Sequence, residues 1–337
     1  MNLAPGTDIH IHIAARERPD CKVSNQMLAM PAFAYMITAN GINPVELTQH
    51  FDKTIAAHIL GKLSGAPTVE RGVLLAIDWV FQSDGTRDDA ASHFVVSNDY
   101  VRELAKQNPK ILFGASINPN RGERAGMQEL ERCLDKTSGL TAVLVKWVPN
   151  AQVIDPNPTD HRHDWFYKAL ATHNLPLLCH TGPEWAIPVP KGDQVLGDPR
   201  LLQRALDLGV KVIAAHAATR FFPTDKYDYV DQLAEMMKRS PNLYADLSAM
   251  CVWCREIDTI KRVKDLIPSD RMILGSDYPI PVNDMLLSFM KGIPFEDALK
   301  IGTTKNPLER NYRQLIAMGF PQSIGTKAAQ VLRASTG

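Results

Sequence analysis

Eight short apolar runs punctuate the chain, and between most of them apolar residues return at three- and four-residue spacing. The runs end at His12, near Phe81 (from Gly72), at Asn118 (from Ile111), at Val148 (from Ala142), at His180 (from Leu175), at His216 (from Val210), near Ser248 (from Asn242) and at Asp277 (from Arg271). Segments 100–107, 124–136, 165–173, 199–208, 230–239 and 257–267 carry the amphipathic period of surface helices. Strand and helix therefore alternate, which is the pattern of parallel βαβ units.

The spacing of the runs favours closure. Lys146 to His180 is 34 residues and His180 to His216 is 36, each one βα repeat of the about 30 to 40 residues expected of an eightfold barrel with modest insertions. His216 to Asp277, 61 residues, is about two repeats and leaves room for the run that ends at Ser248. The predicted architecture is a (β/α)8 TIM barrel forming one domain over residues 1–337. An open doubly wound sheet would bind at a single switch point and would not gather side chains from so many strands. Residues 14–70, punctuated by Pro31, Gly41 and Pro44, are too long for a simple crossover. They predict a helical insertion after strand one, placed to roof the barrel mouth and shape the substrate pocket. Residues 306–318 predict an amphipathic C-terminal helix on the outside of the barrel.

Ligand-type side chains sit at the ends of five of these strands. In Asp8-Ile9-His10-Ile11-His12 a period of two puts both histidines on one face, within reach of one metal ion. Lys146, His180, His216 and Asp277 close strands four, five, six and eight, at the end where such barrels place catalytic groups. Imidazole nitrogens and a carboxylate suit zinc or a similar divalent ion, with His10, His12, His180 and Asp277 as the ligand set. Such an ion would bring the pKa of bound water toward about 7 and polarise a carbonyl. Asp277 can then accept the water proton, and His216 can serve as general acid and base or as ligand to a second ion.

Lys146 interrupts an apolar strand, where an ammonium facing a metal pocket is costly. Three readings stand: reaction of the neutral amine with carbon dioxide to a carbamate bridging two metals, pairing with a substrate carboxylate, or an outward-facing, snorkelling side chain. Asp8, in phase with the histidines but deeper, is expected to hydrogen-bond rather than ligate. Glu184 and Trp185, just past the fifth strand, are candidate substrate contacts; Asp78 and Asn118 are divided between substrate and loop roles. His50, His58, His93, His161, His163 and His173 fall in helices or loops and are read as ordinary.

Composition narrows the class. With 37 basic and 37 acidic residues and 45% hydrophobic residues, the chain can bury a large core and advertises no surface for nucleic acid or membrane. A small-molecule substrate is expected, and a homo-oligomer is left open. No apolar stretch near 18 residues occurs, and the start lacks the basic and apolar regions of a signal peptide. Five cysteines read as reduced thiols, and Cys251-Val-Trp-Cys254 lacks the second pair that a structural zinc site needs. The expected compartment is the cytoplasm.

Taken in order, Asp8-x-His10-x-His12, Lys146, His180-Thr-Gly, His216 and Gly275-Ser-Asp277-Tyr-Pro resemble the amidohydrolase superfamily, from Thr7 to the helix containing Asn306. The nearest likeness is to the amidohydrolase-related branch that includes aminocarboxymuconate semialdehyde decarboxylase and dicarboxylate lactonases. The resemblance implies a metal-dependent (β/α)8 barrel in which His10, His12, His180 and Asp277 hold one zinc and His216 acts as a base. In binuclear relatives the strand-four lysine is carbamylated and His216 joins His180 on the second metal, so one or two ions are implied. Fold does not fix the reaction. The favoured expectation is a hydrolase of a small amide, lactone or related ester. The alternatives are a nonoxidative decarboxylase of a small aromatic or unsaturated acid and, third, a non-catalytic binding protein on the same scaffold.

Overall fold

Eight strands follow one another in chain order around a barrel, each parallel to the next. They are β1 (Gly6–His12), β2 (Val69–Leu75), β3 (Ile111–Ala115), β4 (Leu144–Trp147), β5 (Leu177–Cys179), β6 (Val212–Ala214), β7 (Leu243–Asp246) and β8 (Met272–Ile273). This is a computed structural model, and it describes residues 3–334. The seam between β8 and β1 is closed by backbone hydrogen bonds from Ile9 N–H to Leu274 C=O (3.0 Å), Asp277 N–H to His10 C=O (2.9 Å) and His12 N–H to Tyr278 C=O (2.7 Å). The predicted eightfold barrel is therefore the observed one.

Helices cover the strands where the apolar period places them. The segment predicted over 100–107 is Asn98–Gln107, capped by Ser97, whose side chain accepts from Tyr100 N–H. The helix predicted over 306–318 is Pro307–Ala317, capped by Asn306 with proline in its first turn. The stretch 199–208 splits into a 3-10 turn, Pro199–Leu202, and a short helix, Gln203–Asp207. Strand two was expected to run to near Phe81 but ends at Leu75. The chain turns there because the Asp78 carboxylate takes up the N–H groups of Trp79 (2.8 Å) and Asn118 (2.8 Å).

The barrel interior is filled by Ile9, Val73, Leu75, Leu144, Leu178, Ile213 and Ile273, and Ala328 and Val331 join this cluster from the helix Ile324–Val331. That helix docks on the closed end through Leu274 N–H to Ile324 C=O (3.1 Å). The approach is tight enough that a Cβ on Gly325 would lie 2.2 Å from Tyr312 Oη, so only glycine fits.

Between β1 and β2 the insertion folds as α1 (Asn25–Leu28), α2 (Pro31–Ala39), α3 (Pro44–Gln49) and α4 (Phe51–Ser64). Residues Lys22–Val23 pair antiparallel with Phe94–Val95, tying it to the loop after β2. Ile55, Ile59 and Leu63 of α4 are buried in the core. The insertion thus belongs to the barrel's packing as well as to its mouth.

Candidate active site

β1 carries the first two site residues, but not by unbroken alternation. Its register against β2 shifts between Asp8 and Ile11, so Ile9 joins the interior cluster while His10 and His12 both reach the open end. Asp8, read by phase as one layer deeper, keeps the expected hydrogen-bonding role: its Oδ1 accepts from His10 N–H (3.0 Å) and Ser276 N–H (3.0 Å).

His10 is the hub. Its Nε2 lies 3.2 Å from His12 Nε2, 3.0 Å from Lys146 Nζ and 3.3 Å from Asp277 Oδ1, which is also 3.3 Å from His12 Nε2. On the other flank His216 Nε2 stands 3.1 Å from His180 Nδ1, and Glu184 Oε2 is 3.6 Å from the same nitrogen. Ligand atoms of His10, His216 and Asp277 lie within 4.8 Å of one another, close enough to share an ion. Lys146 is fully buried and points into the barrel, which excludes its outward-facing reading.

His216 does not sit on a strand end as the apolar run suggested. β6 stops at Ala214, and a left-handed turn at His216 (φ 59°) brings its imidazole beside that of His180. Period two would have sent it the other way, because Ile213 already faces the interior. Asp277 also follows its strand in a left-handed conformation (φ 65°).

Sequence reasoning passed over Asp246, the last residue of β7. One of its oxygens accepts from His10 Nδ1 (2.7 Å); the other accepts from His216 N–H (2.8 Å) and Ser248 N–H (3.1 Å), and Ser248 Oγ contacts His216 Nδ1 (2.8 Å). One carboxylate thus orients both flanks of the site, and with His10 Nδ1 donating to it, Nε2 is left as the lone-pair face. The signal was an acidic residue inside the apolar run predicted as a strand from Asn242 to near Ser248. Replacing Asp246 by Asn is expected to lower metal affinity about 10- to 100-fold, read by titration with a zinc-buffered indicator; unchanged affinity would make Asp246 purely structural.

Electrostatics favour ligands in their binding forms. Burial holds His10, His12 and His180 below the ordinary imidazole value and pushes His216 down to about 4, so these rings are neutral at pH 7. Burial likewise lowers Lys146. For Asp277, burial pushes upward, but His216, His10 and His12 beside it outweigh that and hold the carboxyl well below its usual range. Glu184 is raised by burial to about 7. His12 Nδ1 and His180 Nε2 are buried with no hydrogen-bond partner. Two imidazole nitrogens 3.2 Å apart, each 3.3 Å from the Asp277 carboxylate, with two further ring nitrogens left unsatisfied, fit a bound cation.

The cluster opens into a cavity of about 520 Å³ whose wall includes His12, Lys146, His180, Glu184, His216 and Asp277. Met27 and Met30 at the insertion's start and Ile55 and Ile59 of α4 line it too, so the insertion covers the mouth as expected. Trp185 is 45% exposed at the rim. Asp78 and Asn118 are elsewhere, Asp78 paired with Arg121 (2.6 Å) and Asn118 donating to the carbonyls of Trp79 and Gln152. The cysteines are free and buried. Of the histidines read as ordinary, His58 donates to or accepts from Tyr278 Oη (2.6 Å), next in chain to Asp277; His163 bonds Asn120 and His93 bonds Ser24.

An eight-stranded parallel barrel with imidazoles, a lysine and a carboxylate gathered at the C-terminal strand ends defines a class of barrel enzymes that work at that face. The family model for amidohydrolases matches residues 7–307, and the chain belongs to the amidohydrolase family. The sequence matches none of the curated proteins at a significant level. Solved structures share the fold. An uncharacterised TIM-barrel protein from Bordetella bronchiseptica is 17% identical, with 94% of this chain and 99% of that one covered and a TM-score of 0.56. A 2,6-dihydroxybenzoate decarboxylase complexed with 2,6-dihydroxybenzoate is 13% identical, with 98% and 99% covered and a TM-score of 0.54. The 4-oxalomesaconate hydratase of Rhodopseudomonas palustris is 16% identical, with 97% and 95% covered and a TM-score of 0.54. No helix among the described residues is long and apolar enough to cross a membrane.

Proposed function

We propose that this amidohydrolase is a metal-dependent hydrolase of a small amide, lactone or related ester. His10, His12, His180 and Asp277 would hold a zinc ion, with His216 and Lys146 available to a second. A divalent ion there supplies Lewis acidity, acidifying water and polarising a carbonyl. The nitrogen-rich donor set suits zinc.

The observation that carries hydrolysis is an ionised carboxylate, Asp277, 3.3 Å from two imidazole nitrogens at the cavity wall. Hydrolysis needs a proton taken from water as its oxygen attacks the carbonyl carbon, and the same proton given to the departing nitrogen or oxygen. Asp277 is placed to do both. His216, neutral and held by Ser248 and Asp246, is the second group able to move a proton. Glu184 and Trp185, which line the cavity, would contact the substrate from the wall and the rim.

Zinc-loaded protein offered a panel of lactones, esters and amides is expected to turn over at least one of them, followed by acid release in a pH-indicator assay. Carbon dioxide release from a panel of aromatic and unsaturated acids, with no hydrolysis, would replace this reading by a decarboxylase. Absence of both, with no tightly bound metal, would indicate a binding protein.

A further inference from the structure

Arg255, in the segment after β7, is a buried cation without a counter-ion. It is 1% exposed and lines the cavity. Its Nε donates to Ala249 C=O (3.2 Å) and its Nη1 to Arg220 C=O, while among the described residues Nη2 makes no hydrogen bond. Both anchors are neutral carbonyls. The guanidinium lies over the Phe221 ring, 5.5 Å from its centroid. Asp277, Asp228 and Asp225 attract it from a distance, but among the described residues no carboxylate lies within the 4.0 Å of an ion pair. Burial pushes its pKa down to about 10, which still leaves it charged at neutral pH.

A buried charge left unpaired is expensive unless something supplies the missing partner. The surroundings say what that partner is attached to. Phe222, Val252 and Ile280 line the cavity beside Arg255, and Met27, Met30 and Ile37 line it from the insertion. Apart from the metal-side donors, Lys146 and Glu184, Arg255 is the one charged group of this wall among the described residues. A planar fork of donors held in an apolar chamber matches a carboxylate.

We propose that Arg255 binds the carboxylate of the substrate, and that the substrate is a hydrophobic acid whose large apolar body fills the chamber while its scissile bond reaches the donor cluster. This rests on the hydrolase reading only for the last clause; recognition of the acid stands on Arg255 and the chamber. The volume of about 520 Å³ lies within the usual range for small-molecule sites.

The test is calorimetric binding of 6-phenylhexanoate and of 6-phenylhexan-1-ol, which differ in charge and share a body, to the full chain with zinc and after chelation. The acid is expected to bind at least tenfold more tightly than the alcohol in both forms, and Arg255→Met to remove that preference while leaving alcohol binding unchanged. Equal binding of acid and alcohol to the wild type overturns the proposal. So does a preference that survives Arg255→Met or disappears on chelation, since the metal centre would then be holding the carboxylate. Should Arg255→Met not fold, Arg255→Gln, which keeps a donor for the carbonyls without the charge, is expected to show the same loss, and retained preference there overturns it equally. A hydrolase reading that fails leaves this binding difference untouched, so the two failures are distinguishable.

Discussion

Changing Asp277 to Asn is expected to cut turnover by about 10³-fold or more and to leave a folded barrel. General base catalysis alone contributes about 10²- to 10⁴-fold, and the same change removes the one anionic donor from the His10, His216 and Asp277 group. Asn is the right substitution because Asp277 sits at φ 65°, a conformation that Asn adopts at less cost than alanine, and because it keeps the shape of the side chain. The backbone bond from this residue to His10 C=O, part of the barrel seam, survives the change. His10→Ala is expected to be as inactive but less stable, since it strips the buried Asp246 carboxylate of a partner at a cost of about 1–3 kcal/mol. Metal content by mass spectrometry, far-UV circular dichroism and kcat on the best substrate of the panel decide the matter. Full turnover in Asp277→Asn, or in chelated wild type, would remove Asp277 and the ion from the reaction.

The alternation of strand and helix was enough to read the barrel, because each strand needs one buried face and each helix one stripe, and both periods survive in the sequence. Lys146 and His180 were legible for the same reason: each is two residues past an interior leucine, Leu144 and Leu178, and so shares its face. His216 was found by residue type and not by phase, since the turn that carries it in has φ 59° at a histidine, which no periodicity encodes. Asp246 and Arg255 were missed for different reasons. Asp246 lies two residues before the predicted strand end at Ser248, and its meaning depends on two partners 236 and 30 residues away. Arg255 lies in an irregular segment, where burial of a charge leaves no pattern in the sequence.

Replacing Lys146 by Met tests the remaining alternative at the centre of the site. The side chain is fully buried, its Nζ is 3.0 Å from His10 Nε2, and among the described residues no carboxylate lies within 4.0 Å of it. Burial favours the neutral amine, which is the form whose lone pair adds to carbon dioxide with loss of one N–H proton; the resulting carbamate would bring a second negative charge to the site. With Arg255 assigned to the acid of the substrate, Lys146 is also freed from serving as its counter-ion. The expected result is about two metal ions per wild-type chain, reconstitution that depends on bicarbonate, and loss of about one ion with at least about a 10²-fold fall in activity in Lys146→Met, in keeping with loss of a metal-supporting group. Wild-type protein holding one ion whatever the bicarbonate supply, with Lys146→Met keeping that ion but binding acidic substrates more weakly, would instead make Lys146 a cation for substrate. Full metal and full activity in Lys146→Met on every substrate would leave the site to His10, His12, His180 and Asp277 alone.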